Sequence, residues 1–128
     1  MMTKLTAQIL DEQEFEAQLP VPVGYRVLVA LPEIEETYED SSIVRSEKDR
    51  KREYILSIMG LVIDMGGLAY KDESRFGKDA TPWCKVGDYV LFRMNTGTRF
   101  TVNGKEYRLM NDDSIEAVIP DPRGIQRV

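Results

Sequence analysis

Residues 98–110, TRFTVNGKEYRLM, constrain the chain more than any other stretch. Asn103-Gly104 fits a two-residue type I′ turn, in which both central residues take positive φ. That register sets Phe100 opposite Tyr107, an aromatic cross-strand pair expected on the core face. Other segments carry the same β texture. YRVLVAL (25–31) places Val27, Val29 and Leu31 on one face and Leu28 and Ala30 on the other, so the strand is expected to be covered on two sides until Pro32 ends it. YILSIMGLVIDMG (54–66) reads as a strand with a bulge or bend at Gly60 and a turn at Gly66-Gly67. KVGDYVLFR (85–93) is a Gly87-Asp88 turn feeding a strand, with Val86, Val90 and Phe92 on one face. SIEAVIP (114–120) is the last strand, closed by Pro120 and Pro122. Five or six short strands with turn signals and little helix predict a small all-β barrel.

A length of 128 residues is enough for one domain with one core. TAQILDEQEFEAQL (6–19) could form a short amphipathic helix capped by Thr6 and stopped by Pro20 and Pro22, which makes residues 1–20 an N-terminal extension. The barrel then spans 21–122, with 123–128 as a tail. Residues 67–82 are a polar excursion ending at Pro82. No apolar run approaches ~18 residues, so no membrane span is expected. The N-terminus lacks the basic-then-apolar layout of an export signal, and the single cysteine, Cys84, forms no internal disulfide. A reducing cytoplasm is the expected compartment.

Charge and composition narrow the function. A net charge of −5 argues against nucleic acid, which is held by lysines and arginines on phosphates. The cluster Lys48, Arg50, Lys51 and Arg52 does not reverse this, because the five bases of residues 39–53 are matched by five acids. Histidine is absent, which removes the commonest general base and zinc ligand. One cysteine without histidine builds neither a structural zinc site nor a thiol–imidazole pair. The acids Glu33, Glu35, Glu36, Asp112 and Asp113 read as solvated loop and edge residues. No phosphate-binding or nucleophile-elbow motif occurs, so no cofactor and no enzymatic activity are expected. Cys84 is expected to be inert.

One segment resists a structural reading. In EDSSIVRSEKDRKRE (39–53), ten of fifteen residues are charged, yet Ile43 and Val44 sit adjacent in the middle. There is no apolar stripe to dock a helix, and i,i+4 pairs such as Glu47–Lys51 give only about 0.2–0.5 kcal/mol each. Residues 36–53 therefore read as a long, exposed, mobile loop, of a length that is usually functional or disordered.

The order of these pieces resembles the GroES co-chaperonin family. PVGYRVLV (22–29) is similar to the family's opening strand, GLVIDMGG (60–67) to its second strand and turn, KVGDYVLF (85–92) most specifically to a later turn and strand, and LMNDDSIEAVI (109–119) to its closing strand. The resemblance implies a Greek-key β-barrel that assembles as a seven-membered ring, its first and last strands pairing with neighbouring subunits. Arg26, Val27, Leu28 and Val29, with Ile115, Ala117, Val118 and Ile119, would then lie at subunit seams. It also implies that the loop is the family's mobile loop, whose aliphatic tripeptide docks a GroEL-type chaperonin. Ile43 and Val44 fall on the first two positions and Arg45 on the third.

The implied function is a co-chaperonin that caps a chaperonin ring, with ATP or ADP bound on the partner, and encloses an unfolded client. The departures are Arg45 for an aliphatic, Asp40-Ser41-Ser42 for a glycine-rich approach, a charged segment at 67–82 where the family has a roof hairpin, and the extension 1–20. They look like a phage-encoded member that works in a host cytoplasm on a capsid protein. The alternatives are a plain β-barrel, an oligomeric structural or virion assembly protein without chaperonin binding, and an OB-like nucleic-acid module, which the charge disfavours. The GroES-like domain of medium-chain dehydrogenases shares the barrel, but length and missing zinc ligands exclude such an enzyme.

Overall fold

The computed structural model describes residues 18–32 and 57–125. The strands are β1 (Arg26–Ala30), β2 (Met59–Met65), β3 (Tyr89–Leu91), β4 (Thr98–Val102), β5 (Lys105–Asn111) and β6 (Ala117–Ile119). One helical turn, α1 (Glu73–Phe76), and two 3₁₀ turns, Asp112–Ser114 and Pro122–Gly124, also occur, and Ser57 and Ile58, which the expected strand over 54–66 included, are helical, so that strand begins only at Met59. The all-β expectation holds. Residues 6–17 of the expected N-terminal helix, the loop 36–53 with Ile43, Val44 and Arg45, the acids Glu33, Glu35 and Glu36, and residues 54–56 lie outside the described residues.

All six strands form one antiparallel sheet in the order β4-β5-β1-β2-β3-β6. The β4–β5 hairpin turns at Asn103 and Gly104, both at positive φ (51° and 78°), as a type I′ turn requires. Phe100 faces Tyr107, with ring centroids 5.9 Å apart. Neither ring belongs to the main core cluster, so this pair packs at the hairpin rather than at the centre. The core gathers Val27 and Val29 from β1, Val62 from β2, Val90 from β3, Phe92 just beyond it, Met110 from β5, and Ile115, Ala69, Tyr70 and Cys84 from the connections. Residues of four strands share one interior because the sheet curls around it.

Two local expectations change. The irregularity in β2 is not at Gly60: the register slips where Leu28 pairs with Asp64 but Val29 with Val62, leaving Ile63 as the extra residue. Gly60 instead allows close approach, since a Cβ there would lie 3.1 Å from both Ala30 O and Val29 Cβ. Val86 does not join Val90 and Phe92 inside; it is exposed, because the tight turn at Gly87 (φ +99°) breaks the strand alternation before β3 begins.

Candidate assembly surface

β6 is a sheet edge. It pairs with β3 through Tyr89↔Ile119, Val90↔Val118 and Leu91↔Ala117, and no described strand takes its other side. Pro120, which lacks an N–H, ends it. Of the residues expected at a seam here, Ile115 and Ile119 are buried in the chain's own fold, while Ala117 and Val118 are exposed. A shallow groove of about 250 Å³ runs beside the strand, lined by Trp83, Ile115, Glu116, Ala117 and Val118. An unpaired strand edge flanked by apolar side chains is a template for another chain.

The opening strand is a correction. β1 is hydrogen-bonded on both sides, to β2 and to β5, so it has no edge to offer a neighbour. Val27, Leu28 and Val29 are 0–1% exposed in the single chain. Their two-sided apolarity comes from a central position within the sheet, not from a seam. Exposure lies just upstream: Val21 and Val23 flank the buried Pro22 and are about three-quarters exposed. Arg26, the fourth residue expected there, is exposed and donates to Asn111 Oδ1.

Residues 67–82, expected as a polar excursion, contain no strand and are built on polar contacts. Asp72 caps α1, accepting from Ser74 N at 3.1 Å and Ser74 Oγ at 2.8 Å. These bonds, with the Arg75 guanidinium, hold its carboxyl below the usual aspartate value. Arg75 reaches across to Asp112, its Nη1 at 2.8 Å from Oδ1 and its Nη2 at 3.2 Å from Oδ2. Asp112 is no solvated loop acid. It is fully buried and also accepts from Tyr70 N at 2.9 Å and Asp113 N at 2.8 Å. Asp113 does lie at the surface, 3.2 Å from Arg75. The pairing with Asp112, then Asp72, raises the pKa of Arg75.

Tyr70 is held at φ +62° by this network, its hydroxyl donating to Asp112 O at 2.8 Å. Its ring packs with Phe76 (5.3 Å) and Trp83 (5.8 Å), and these two meet edge to face at 5.1 Å. The network thereby places Trp83 at the groove beside β6. Cys84 is buried, with its sulfur 3.4 Å from Tyr70 Oη, and burial raises the pKa of both groups. A thiol held protonated this way is a poor nucleophile.

Arg108, unremarked in the sequence, is 0% exposed. Its Nη1 donates to Ser57 O (3.1 Å), Met94 O (3.1 Å) and, more weakly, Thr96 O (3.4 Å). Its guanidinium lies 4.9 Å from the Phe92 ring centroid, and burial lowers its pKa. The available signal was the register: Met110 faces the core, and Arg108 stands two residues before it, opposite Val29.

Among the described residues, no group of three histidine, cysteine or carboxylate side chains could hold a metal, and no helix is long and apolar enough to cross a membrane. What the described residues offer is a free strand edge at β6 and the groove beside it.

Comparison with known proteins agrees with that emphasis. A family model described as the chaperonin 10 kDa subunit matches residues 20–119, from just before β1 to the end of β6. Similar curated proteins bear the name co-chaperonin GroES. The one from Natranaerobius thermophilus is 34% identical over 98 residues, covering 77% of this chain and 95% of the relative. That of Clostridium kluyveri is 32% identical over 101 residues, with the same coverage. That of Staphylococcus aureus is 29% identical over 99 residues, covering 77% and 96%. The matched region leaves residues 1–19 outside it.

Proposed function

Because this chain belongs to the chaperonin 10 kDa family of co-chaperonins, and is therefore not an enzyme, we propose that it assembles into a ring that caps a GroEL-type chaperonin. In this reading the ring has seven subunits, the nucleotide sits on the partner, and the cap closes over an unfolded client in the cytoplasm, a host's if the chain is phage-encoded. The observation that carries the reading is the family match over 20–119, which brackets both the free edge of β6 and the segment holding Ile43 and Val44.

The seam joins the outer edge of β6, with Ala117 and Val118, to the exposed start of a neighbour's chain around Val21 and Val23. A head-to-tail contact of this kind leaves no bare edge once it closes. The cap docks through Ile43, Val44 and Arg45. Burying isoleucine and valine yields roughly 1.5–3 kcal/mol each, while ordering a free segment costs about 2–5 kcal/mol. One segment gains little, and several on one ring act together through effective concentration. The lid then holds firmly as a whole and still leaves when its partner changes state.

Native mass spectrometry and co-sedimentation with a chaperonin, with and without ATP, test this. A ring that sediments only with nucleotide present is expected. Ile43→Ser should abolish co-sedimentation while the ring survives. Arg45→Leu should tighten binding if the partner's groove takes an aliphatic, or weaken it in a salt-sensitive way if Arg45 meets a carboxylate. A monomer at micromolar concentration refutes the ring. A ring whose chaperonin binding is indifferent to both substitutions refutes the docking.

A further inference from the structure

Trp83 is 48% exposed and yet held in place. Phe76 meets it edge to face at 5.1 Å, and Tyr70 lies 5.8 Å away. Both supports are themselves anchored. Tyr70 is buried and bonded to Asp112 through its N–H and its hydroxyl, and Phe76 belongs to α1, whose Arg75 pairs with the same carboxylate. The indole lines the groove beside β6 with Ile115, Glu116, Ala117 and Val118. Tryptophan is enriched among the few residues that carry most of the energy of a protein contact, and a side chain already held rigid loses less freedom on binding.

The same chain carries a surface that suits this groove. Val21 and Val23, 75% and 73% exposed, are the most exposed large apolar side chains among the described residues. Pro22 between them is buried, the alternation of an extended segment lying against the fold. The proline also biases Val21 toward an extended backbone. Residues i and i+2 of an extended segment share a face, so the two valines present their side chains together. An extended segment added to a free strand edge sets alternate side chains into the adjoining pockets. Within one chain the two surfaces do not meet. Neither valine lines the groove, and the strand that follows them, β1, stands three places from β6 in the sheet.

We propose that Trp83 is the anchor of the subunit contact: it receives Val21 and Val23 of a second copy of this chain, whose extended segment pairs with the free edge of β6. The inference rests on the ring reading and adds the side chain on which the seam turns. Each subunit gives one groove and one pair of valines, so the contact is head to tail and is satisfied everywhere only when a ring closes.

The test uses the full-length protein and two variants, Trp83→Ala and the double change Val21→Asp with Val23→Asp, each checked for folding by circular dichroism. Trp83 is the only tryptophan, so iodide quenching of its emission reads the groove directly. In the parent assembly Trp83 should be shielded. In the valine variant, expected as a folded monomer, it should be open to iodide. Trp83→Ala should weaken each contact about thirtyfold in sedimentation. The decisive arm mixes the two variants. Each lacks one half of the contact and keeps the other, and all the tryptophan belongs to the valine variant. Mixing should give one-to-one pairs and restore shielding at a concentration where neither variant pairs with itself.

The proposal is overturned if the parent assembles and Trp83→Ala assembles as tightly. It is overturned too if Trp83 stays shielded in the valine variant, so that something other than those valines covers it, or if the mixture leaves Trp83 open. In each of these cases the ring stands and only the anchor is wrong. A parent that is monomeric with Trp83 open at every concentration fails the ring reading and this inference with it. If Trp83→Ala does not fold, the quenching comparison of parent and valine variant still decides, because it leaves Trp83 in place.

Discussion

Asp112→Asn is a sharp test of how the segment 67–82 is held. The carboxylate takes four hydrogen bonds: two from the Arg75 guanidinium, one from Tyr70 N and one from Asp113 N. Asparagine keeps the shape but replaces one oxygen with an N–H donor. Either way round, the amide opposes one N–H of Arg75 and one backbone N–H, that of Asp113 at the Oδ1 position or that of Tyr70 at the Oδ2 position, and Arg75 loses its counter-charge. A hydrogen bond to a charged group contributes about 1.5–3 kcal/mol, and an orphaned buried donor costs about 1–3 kcal/mol. Arg75 is 30% exposed, so water recovers part of the loss. A net destabilisation of about 2–4 kcal/mol follows, or roughly 8–16 °C in midpoint for a domain of this size.

Scanning calorimetry measures that loss. The emission of Trp83, the only tryptophan in the chain, reports whether the segment has loosened, because its ring packs on Phe76 and Tyr70. In a double-mutant cycle with Arg75→Met, the double variant should be less destabilised than the sum of the singles, because the Arg75–Asp112 pair is then removed as a unit. A loss below about 1 kcal/mol, or strict additivity, would refute the assignment of Asp112 as the centre of the network.

Two further outcomes are expected. Gly66→Ala should destabilise the fold by about 1–3 kcal/mol, because its Cβ would sit 2.3 Å from Gly24 O and 2.8 Å from Val23 C, both backbone atoms; an unchanged midpoint on chemical denaturation would contradict that packing. Tyr70 and Cys84 have raised pKa values in the fold, so the unfolded chain gives up these protons first; stability should be complete below the ordinary thiol value of 9.0 and decline as pH rises above it, a decline that Tyr70→Phe should reduce in a pH series of melts.

The hairpin at 98–110 was legible because its turn demands two positive-φ residues and Asn-Gly meets that demand locally. The strands were legible for a similar reason, since alternation and flanking prolines are short-range signals. What failed were inferences about which surface covers which. A strand apolar on both faces looks the same whether its neighbours belong to one sheet or to another subunit, so nothing in the sequence opposed the seam that the resemblance implied for Val27, Leu28 and Val29. Asp112 was read as solvated because nothing near it in sequence announces Arg75, 37 residues away. Arg108 drew no reading at all, because arginines are rarely buried, although its register with Val29 points it inward. Of the candidate site, the edge at Ala117 and Val118 was legible, and the groove with Trp83 was not.

The central place of β1 also governs how the domain can be made. Val27 to Ala30 pair with β2 on one flank, and all five of its residues pair with residues 107–111 of β5 on the other. A ribosome delivers the chain from the N-terminus, so β1 emerges roughly eighty residues before its second partner. Until Asn111 is clear of the exit tunnel, one side of the most buried strand stays unzipped. Closing that pairing joins parts of the chain far apart in sequence, a step that is intrinsically slow. The barrel is therefore completed after most of its sequence has been synthesised, and any nascent fragment that stops short of β5 exposes a bare, aliphatic strand edge of the kind that invites aggregation.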